Sequence, residues 1–267
     1  MTIIEALILG IIQGLTEFLP VSSSGHIELG KILLGVQAKE NLLFSILVHG
    51  ATALSTIIVF RKDIFQIIKN GFKFPFNDYS RFIIYIIISI IPVMIIGLLF
   101  EEQIESLFTG NALLVGSMLI LTGLLLLFAS FTGNPDGDLS PLKALIIGIA
   151  QAIAILPGIS RSGATIGTAL LLKVNREQAA RFSFLMVLIP ILGAAFLKTL
   201  DLFSGEAENI SNINVPAMAI GAIAAFGSGL VACNWMIKIV KQGKLIFFAG
   251  YCFLAGIIAI IGAFIQS

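Results

Sequence analysis

The length of the apolar runs is the feature that most constrains this chain. Six runs are long enough to cross a hydrocarbon layer of about 30 Å, which takes roughly 20 helical residues. These six predicted spans are 43–60, 82–100, 111–131, 182–200, 215–237 and 245–265. Runs of this length are too long for the strands of a membrane barrel. The sequence therefore predicts an all-α integral membrane protein.

The composition excludes several other classes of protein. Of 267 residues, 58% are hydrophobic and only 12% are charged, whereas a soluble domain carries roughly a quarter charged residues. A formal net charge of +1 offers no basic surface to a nucleic acid. Cys233 and Cys252 lie inside apolar runs and are predicted to be packing residues. These numbers exclude a soluble enzyme, a disordered chain, a disulfide scaffold and a nucleic-acid-binding protein.

Two further apolar regions, 2–36 and 142–172, are each interrupted in the middle by proline and serine. The interruptions read LPVSSSG at 19–25 and LPGISRSG at 156–163. Proline ends a helix, and the serines after it supply caps for a new one. Each piece then has about 14–17 residues, which is short for a span. We therefore predict two re-entrant helix–break–helix hairpins, although ten crossings with the same parity stay open as an alternative.

The charged loops support this count. Basic residues are concentrated in loops 61–81, 173–181 and 238–244, whereas loops 101–110 and 198–214 are mainly acidic. Six spans and two hairpins place all three basic loops on one side of the membrane. The positive-inside rule makes that side cytoplasmic.

The chain also contains an internal repeat. A shift of 138 residues aligns 4–54 with 142–192 without a gap, and 16 of these 51 positions are identical, where roughly four would match by chance. The predicted repeats are 1–134 and 139–267, each with one hairpin and three spans, in a single membrane domain. Because each half crosses the membrane an odd number of times, the halves are inverted relative to each other. In such folds the two broken segments meet near the bilayer centre.

The candidate catalytic residues lie at the two breaks. Glu17 and Arg161 are the most deeply placed ionisable residues, and such residues in a membrane are functional candidates. In the repeat, Ser23 matches Arg161 and Glu17 matches Ile155, so the predicted site is single and asymmetric. Ser23 and His26 are three residues apart on one helix face, which places a hydroxyl beside an imidazole as a nucleophile and base.

The expected ligand is a phosphate group. Two helix N-termini should point at the site and favour an anion there, and Arg161 adds a planar fork for two phosphate oxygens. A divalent cation, Mg²⁺ or Ca²⁺, held partly by Glu17 would balance the remaining charge of a diphosphate. Further polar residues of the breaks are predicted to bind the substrate: Gln13, Ser22, Ser24, Ser160, Ser162 and Thr165.

At these residues the chain resembles a known family. Residues 13–26 (QGLTEFLPVSSSGH) and 157–165 (PGISRSGAT) resemble the two signature motifs of the undecaprenyl-diphosphate phosphatases, the bacitracin-resistance proteins. Length, repeat and spans also match, so the resemblance covers essentially the whole chain. It implies a multi-pass enzyme of the bacterial plasma (inner) membrane that acts on a prenyl diphosphate lipid. The product, undecaprenyl phosphate, is the lipid carrier of peptidoglycan synthesis, and its regeneration confers resistance to bacitracin.

The resemblance also implies roles for individual residues. Glu17 resembles the catalytic acidic residue of the family, Ser23 its nucleophile, His26 its base and Arg161 its diphosphate-binding arginine. It further implies an active site that opens to the extracytoplasmic side and depends on a divalent cation, and it leaves a homodimer open. Two positions depart from the family pattern: Gln13 stands where glutamate is common, and Ser24 stands where threonine is usual. Gln13 offers a cation a carbonyl oxygen but no charge.

Several alternatives stay open on the sequence alone. The serines are also explained as helix caps, and Glu17 with Arg161 as a structural ion pair. Either Ser23 or a water can be the attacking group. His49 is interpreted as a structural residue of a plain span. For the whole chain, a prenyl-phosphate flippase or transporter is the alternative function, because inverted repeats with broken helices are transporter architecture; a non-catalytic scaffold is a weaker one.

Overall fold

The computed structural model describes residues 1–34, 41–107, 111–203 and 214–266. Within these ranges the chain is helical apart from short connections and an isolated bridge between Gly137 and Val174. The helices are α1 (Ile3–Phe18), α2 (Ser23–Leu34), α3 (Asn41–Val59), α4 (Arg61–Gly71), α5 (Asp78–Leu99), α6 (Glu101–Ser106), α7 (Ala112–Ser130), α8 (Pro141–Ile153), α9 (Arg161–Leu171), α10 (Arg176–Phe203), α11 (Val215–Gln242) and α12 (Ile246–Gln266).

The helices have the length and apolarity of membrane spans. Five of those in the described part of the chain, α5, α7, α10, α11 and α12, pass this test alone, and α3 passes it together with α4. Their outward faces are apolar: Ile87, Leu254 and Ile258 are each more than half exposed. A surface of this kind suits lipid and would be unfavourable in water. The prediction of an all-α integral membrane protein is confirmed.

The six predicted spans fall on α3, α5, α7, α10, α11 and α12. Several helices extend beyond the predicted ends, because charged residues stop an apolar run but are good helix formers. Thus α10 begins at Arg176 inside a predicted loop, and α11 continues to Gln242, where Gly243 in the left-handed conformation (φ +70°) ends it. The predicted loop 61–81 contains helix α4, and residues 101–106 of another predicted loop form α6.

Both interrupted regions are broken where the sequence predicted. Region 2–36 holds α1 and α2, with its last two residues outside the described part, and region 142–172 holds α8 and α9. Helix α1 packs against α11, and α8 packs against α5. Helix α3 contacts α10 and α11, and α9 contacts α7 and α10. The C-terminal end of α1 and the N-terminal end of α9 are thereby brought together beside α3 and α10.

Candidate active site at the two helix breaks

The first break is built around Ser22. Its backbone has φ +68°, a left-handed conformation that turns the chain sharply between α1 and α2. The Ser22 hydroxyl accepts a hydrogen bond from the Gly25 amide (3.2 Å), and its carbonyl accepts one from the His26 amide (3.1 Å). Ser22 therefore caps α2, as the capping interpretation of the serines predicts.

The second break repeats this cap. Ser160 is the N-cap of α9, and its hydroxyl accepts from the Gly163 amide at 3.0 Å. Gly158, just before it, has φ +97°, and a Cβ at this position would lie 2.5 Å from the carbonyl oxygen of Val115. Only glycine fits there, because both the backbone conformation and the close approach of α7 exclude a side chain.

The two breaks touch directly. The Ser162 hydroxyl at the start of α9 donates to the carbonyl oxygen of Leu19 in the first break (3.1 Å). Thr122 of α7 braces the second break from behind, accepting from the Ser160 amide (3.1 Å) and donating to the Gly158 carbonyl (3.3 Å). Sequence reasoning did not single out Thr122. These bonds satisfy the irregular backbone from within the protein, as membrane depth requires.

An ion pair joins the two breaks at the centre of the site. Nη2 of Arg161 donates to Oε1 of Glu17 at 2.9 Å, across 144 residues of sequence. The Glu17 side chain is 7% exposed and the Arg161 side chain 27%. A carboxylate this deeply buried needs a charged partner. The pair places the predicted catalytic acid and the predicted phosphate-binding arginine side by side.

The second oxygen of Glu17 is also occupied. The Ser23 hydroxyl donates to Oε2 at 2.5 Å, and Nε2 of Gln13, one helical turn before Glu17, donates to the same oxygen at 3.0 Å. Gln13 is fully buried, and its Oε1 has no hydrogen-bond partner in the described part of the chain. The predicted nucleophile therefore faces a carboxylate that can accept its proton, beside an amide oxygen able to receive a further ligand.

His49 of α3 also faces Glu17. Its Nδ1 lies 2.8 Å from the Ser45 carbonyl oxygen, so Nδ1 carries the donated hydrogen, and Nε2 lies 3.9 Å from Oε2 of Glu17. Sequence reasoning placed His49 in a plain span and missed this position. The internal repeat held a signal for it: Val187 occupies the equivalent position of the second half. An unmatched polar residue in a repeat was the criterion already applied to Glu17 and Arg161.

His26 makes different contacts from those that its spacing to Ser23 suggests. Nδ1 donates to the Ser22 carbonyl (2.8 Å), and Nε2 lies 2.7 Å from the Tyr251 hydroxyl, which donates to it. The two rings are stacked, with centroids 5.6 Å apart. Both ring nitrogens are thus engaged, while the Ser23 hydroxyl points to Glu17. Tyr251, on α12, was not found from the sequence because an isolated tyrosine in an apolar run carries no local pattern.

The remaining predicted substrate-binding residues serve mainly the breaks themselves. Ser22 and Ser24 hydroxyls are 3.3 Å apart, and those of Ser160 and Ser162 are 3.2 Å apart. The Thr165 hydroxyl donates to the Arg161 carbonyl at 2.9 Å, one turn back along α9. Of this set, Ser162 also lines a cavity at the ion pair.

That cavity lies between α1, α3, α9 and α10. Its polar wall is formed by Glu17, Thr52, Thr56, Arg161, Ser162 and Ser183. Its apolar wall is formed by Phe18, Phe184, Val187, Leu188 and Ile191. The Ser183 hydroxyl is buried there with no hydrogen-bond partner among the described residues. The cavity has one charged, hydroxyl-rich side and one apolar side, and its volume of about 20 Å³ has room for a water molecule rather than for a diphosphate.

The donors fit a divalent cation only in part. Among the described residues, no group of three or more His, Cys, Asp or Glu side chains could hold a metal ion. One carboxylate, Glu17, and the orphaned amide oxygen of Gln13 are oxygen ligands of the type that Mg²⁺ and Ca²⁺ prefer. Mg²⁺ is commonly bound by one or two carboxylates together with substrate phosphates. Glu17 and Gln13 alone therefore supply too few donors for a divalent cation, and oxygens of a phosphorylated ligand would have to complete the site.

The fold and this site define a class: a multi-pass helical membrane protein in which two helix breaks assemble an acid–arginine–hydroxyl cluster. The chain belongs to the bacitracin resistance protein BacA family, whose model matches residues 6–258. It is 54% identical to the undecaprenyl-diphosphatase of Christiangramia forsetii over 100% of both chains. It is 50% identical to that of Bacteroides thetaiotaomicron, covering 98% of this chain and 99% of the relative. The corresponding protein of Methanobrevibacter smithii is 38% identical over 98% of both. The predicted family is confirmed.

Proposed function

We infer that this protein hydrolyses undecaprenyl diphosphate to undecaprenyl phosphate and inorganic phosphate, which recycles the lipid carrier of peptidoglycan synthesis and confers bacitracin resistance. The relatives that carry this activity in their names match over the full length of the chain. One structural observation carries the inference: Arg161 and Ser23 converge on the two oxygens of Glu17 where two helices begin. This grouping supplies an anion-binding guanidinium, a hydroxyl and a proton acceptor in one buried site.

For the fold, we propose an inverted repeat with two re-entrant hairpins. The packing supports it. In the proposed repeat α1 corresponds to α8, α5 to α11 and α7 to α12, so the contact of α1 with α11 is equivalent to the contact of α8 with α5. The contact of α7 with α12 joins two equivalent helices. Close approaches match too: a Cβ at Gly10 would lie 2.3 Å from the Gly221 carbonyl oxygen, and one at Gly148 would lie 2.3 Å from that of Ser89. With α1 at 16 residues and α8 at 13, neither hairpin arm reaches the roughly 20 residues of a span.

The first step of the mechanism is the binding of the diphosphate. The guanidinium of Arg161 binds two phosphate oxygens, and the first turns of α2 and α9 present their positive ends to the anion. Positioning and charge stabilisation account for most of the catalysis of phosphoryl transfer.

The second step is the transfer itself. The Ser23 oxygen attacks the terminal phosphorus, the bond from that phosphorus to the bridging oxygen breaks, and undecaprenyl phosphate leaves. The Ser23 proton passes to Oε2 of Glu17, with which it already shares a 2.5 Å hydrogen bond. A water oxygen then attacks the phosphoserine phosphorus, the bond from phosphorus to the Ser23 oxygen breaks, Ser23 takes back its proton from Glu17, and inorganic phosphate leaves. In the alternative route a water attacks directly and Ser23 orients it; His26 holds the first break through Ser22 in both routes.

The divalent cation is part of the proposal. Glu17 and the Gln13 amide oxygen would hold Mg²⁺ or Ca²⁺ together with substrate oxygens, and the ion would neutralise phosphate charge. Phosphate release should stop in excess EDTA and return when Mg²⁺ or Ca²⁺ is added. Full activity in EDTA would remove the cation from the mechanism.

We also propose that the protein lies in the bacterial plasma membrane with this site opening to the outer side. The basic residues of 61–81, 173–181 and 238–244 support the orientation. The three segments lie close together, because Asp63 pairs with Arg181 at 2.7 Å and Lys241 pairs with Glu177 at 2.8 Å. Labelling of single cysteines by a membrane-impermeant reagent in intact cells tests it. Labelling of cysteines in the lysine-rich loops would show that these loops lie outside the cell, and the proposed orientation would then be wrong.

The activity is tested by phosphate release from undecaprenyl diphosphate with purified protein in detergent. Ser23→Ala should lower turnover at least about a hundredfold. The neighbouring Ser24→Ala is the matched control, because the Ser24 hydroxyl contacts Ser22 rather than Glu17. Near-normal turnover of the Ser23 variant would exclude Ser23 as the nucleophile and favour attack by water. Absence of phosphate release by the wild-type protein, which needs no second compartment in this assay, would favour the flippase or transporter alternative.

A further inference from the structure

Helix α4 and the residues after it form a surface that the catalytic site does not use. Helix α4 is bent by 73° from the last part of α3. If α3 runs along the membrane normal, α4 runs nearly parallel to the membrane plane, at the end of a span. We call this the α4 surface and define it by its exposed apolar residues Phe65, Ile68, Phe72, Phe74 and Phe76 and its basic residues Arg61, Lys62, Lys69 and Lys73.

The α4 surface is strongly apolar and faces away from the protein. Phe74 is 97% exposed, Phe72 82% and Ile68 64%. The opposite side of α4, with Ile67 and Gly71, is buried against α5. At 100° per residue, Phe65 and Ile68 share one arc of the helix, with basic residues beside them. Such a division of apolar and basic arcs is typical of a helix that lies in a membrane interface.

The charge of the α4 surface is unbalanced. The carboxylates of the segment are Asp63 and Asp78, and each already pairs with an arginine: Asp63 with Arg181 at 2.7 Å and Asp78 with Arg81 at 3.7 Å. The Lys69 ammonium lies 5.7 Å from the centre of the Phe65 ring, so charge and aromatic side chain occupy the same place. Basic residues beside exposed aromatic rings suit a membrane surface, where the rings enter the acyl layer and the ammonium groups meet the phosphate headgroups.

Two contacts fix the rotation of α4. Arg181, on α10, binds Asp63, and its guanidinium also lies 4.8 Å from the centre of the Phe82 ring on α5. Helix α4 is thus tied to two spans and presents the same arc outward. Because the rotation of α4 is already fixed, the helix loses little conformational freedom when a lipid binds its outward side chains.

We propose that the α4 surface lies in the interface on the lysine-rich side of the membrane and binds the headgroups of anionic phospholipids. Its phenylalanines reach the acyl boundary, and Lys62, Lys69 and Lys73 contact the lipid phosphates. At low salt, each lysine near such a membrane surface should increase the binding of the anionic lipid over a zwitterionic lipid about fivefold.

Tryptophan quenching tests the proposal in the whole protein. Trp235 is the chain's single tryptophan, so a Trp235→Phe background accepts one new reporter. Phe74→Trp reports the α4 surface. Phe196→Trp is the matched control reporter. Phe196 is also exposed, but it lies near the C-terminal end of α10, away from the N-terminal end that contacts α4. Each protein is reconstituted in phosphatidylcholine vesicles with a minor fraction of dibrominated phosphatidylglycerol or dibrominated phosphatidylcholine.

Both brominated lipids should quench the reporter at position 74, and phosphatidylglycerol should quench it several times more effectively. Lys69→Gln with Lys73→Gln should remove most of this preference, as should high salt, which shortens the screening length to about 3 Å at 1 M. Lys238→Gln with Lys244→Gln removes the same charge from another basic segment. This pair should leave most of the preference of position 74 for phosphatidylglycerol unchanged. Position 196 should show no such loss with either pair.

Two results would overturn the proposal. Equal quenching of position 74 by the two lipids, unchanged by the lysine substitutions, would exclude recognition of anionic headgroups. Absence of quenching by either lipid, while position 196 is quenched, would place the α4 surface outside the membrane. Elution of each variant as a single species in detergent verifies that the variants are folded.

Discussion

The two helix breaks share their scaffold and differ in their chemistry. In each, a serine caps the second helix, with hydroxyl–amide distances of 3.2 Å at Ser22 and 3.0 Å at Ser160. Each has a buried glutamine in the last part of its first helix, Gln13 in α1 and Gln151 in α8, whose amide oxygen has no hydrogen-bond partner among the described residues. The first break then carries Glu17, where the second has an isoleucine, and the second carries Arg161, where the first has Ser23.

This difference shows how a duplicated motif becomes one site. Matched residues keep the turn and its cap. Each repeat must fold, so a residue that folding requires is retained in both breaks. Unmatched residues are released from that constraint, so one break supplies an acid and a hydroxyl while the other supplies a cation. The comparison makes a general prediction: substitutions at unmatched positions should reduce activity, and substitutions at matched positions should reduce stability.

The largest effect is expected at the ion pair. Glu17→Gln and Arg161→Lys should each lower the rate of phosphate release by about a thousandfold, because the site loses its proton acceptor or its two-pronged anion contact. The double variant should lose little more than either single one, since the residues act as a unit. Initial rates of the purified proteins measure this. Additive losses would mean that the two residues act independently.

The second effect is an exception to that rule: Gly158 is unmatched, with Pro20 at the equivalent position of the first break, but it serves the turn rather than the chemistry. Gly158→Ala places a Cβ 2.5 Å from the Val115 carbonyl oxygen at φ +97°, and should lower the free energy of unfolding by about 2–3 kcal/mol. Thermal unfolding in detergent detects such a change. Gly250→Ala is the control, because a Cβ there would meet nothing within 4 Å. Equal unfolding temperatures for the two variants would contradict the proposed close approach of α7.

His49 provides a smaller test of the same comparison. His49→Leu should lower turnover about tenfold, because Glu17 loses an imidazole that lies 3.9 Å away and attracts the carboxylate when both ring nitrogens are protonated. The equivalent change in the other half, Val187→Leu, should alter KM more than kcat, because Val187 lines only the apolar wall of the cavity. A His49 variant with wild-type kcat would return this residue to the structural role predicted from the sequence.

The smallest effect is expected at the matched serines. Ser22→Ala and Ser160→Ala should each lower the free energy of unfolding by about 1 kcal/mol, the usual contribution of an N-cap. Ser117→Ala, whose hydroxyl bonds within α7, is the control. Unfolding curves of the three variants give the comparison directly. A large loss of activity without loss of stability at Ser160 would show that this serine binds substrate instead.

Most of the fold was predictable from local patterns, and part of the site was not. The apolar runs and the proline–serine interruptions predicted the spans and both breaks, because lipid requires long apolar helices and proline ends them. The internal repeat singled out Glu17, Ser23 and Arg161. The pairing of Ser23 with His26 followed from helical spacing alone, whereas in the structure Ser23 faces Glu17 and His26 faces Tyr251. Spacing places two residues on one helix face but does not give the rotamers that a neighbouring helix selects.

The sequence by itself determined the class of the protein, the number and position of its apolar helices, the two broken segments and the residue types available for chemistry. These follow from composition and short-range order, which act within a few turns of a helix. Only the tertiary structure decided which side chains share a site. His49, Thr122 and Tyr251 come from three different helices and meet the breaks through packing between helices distant in sequence. Contacts of this kind depend on how helices cross, and no local pattern encodes a crossing.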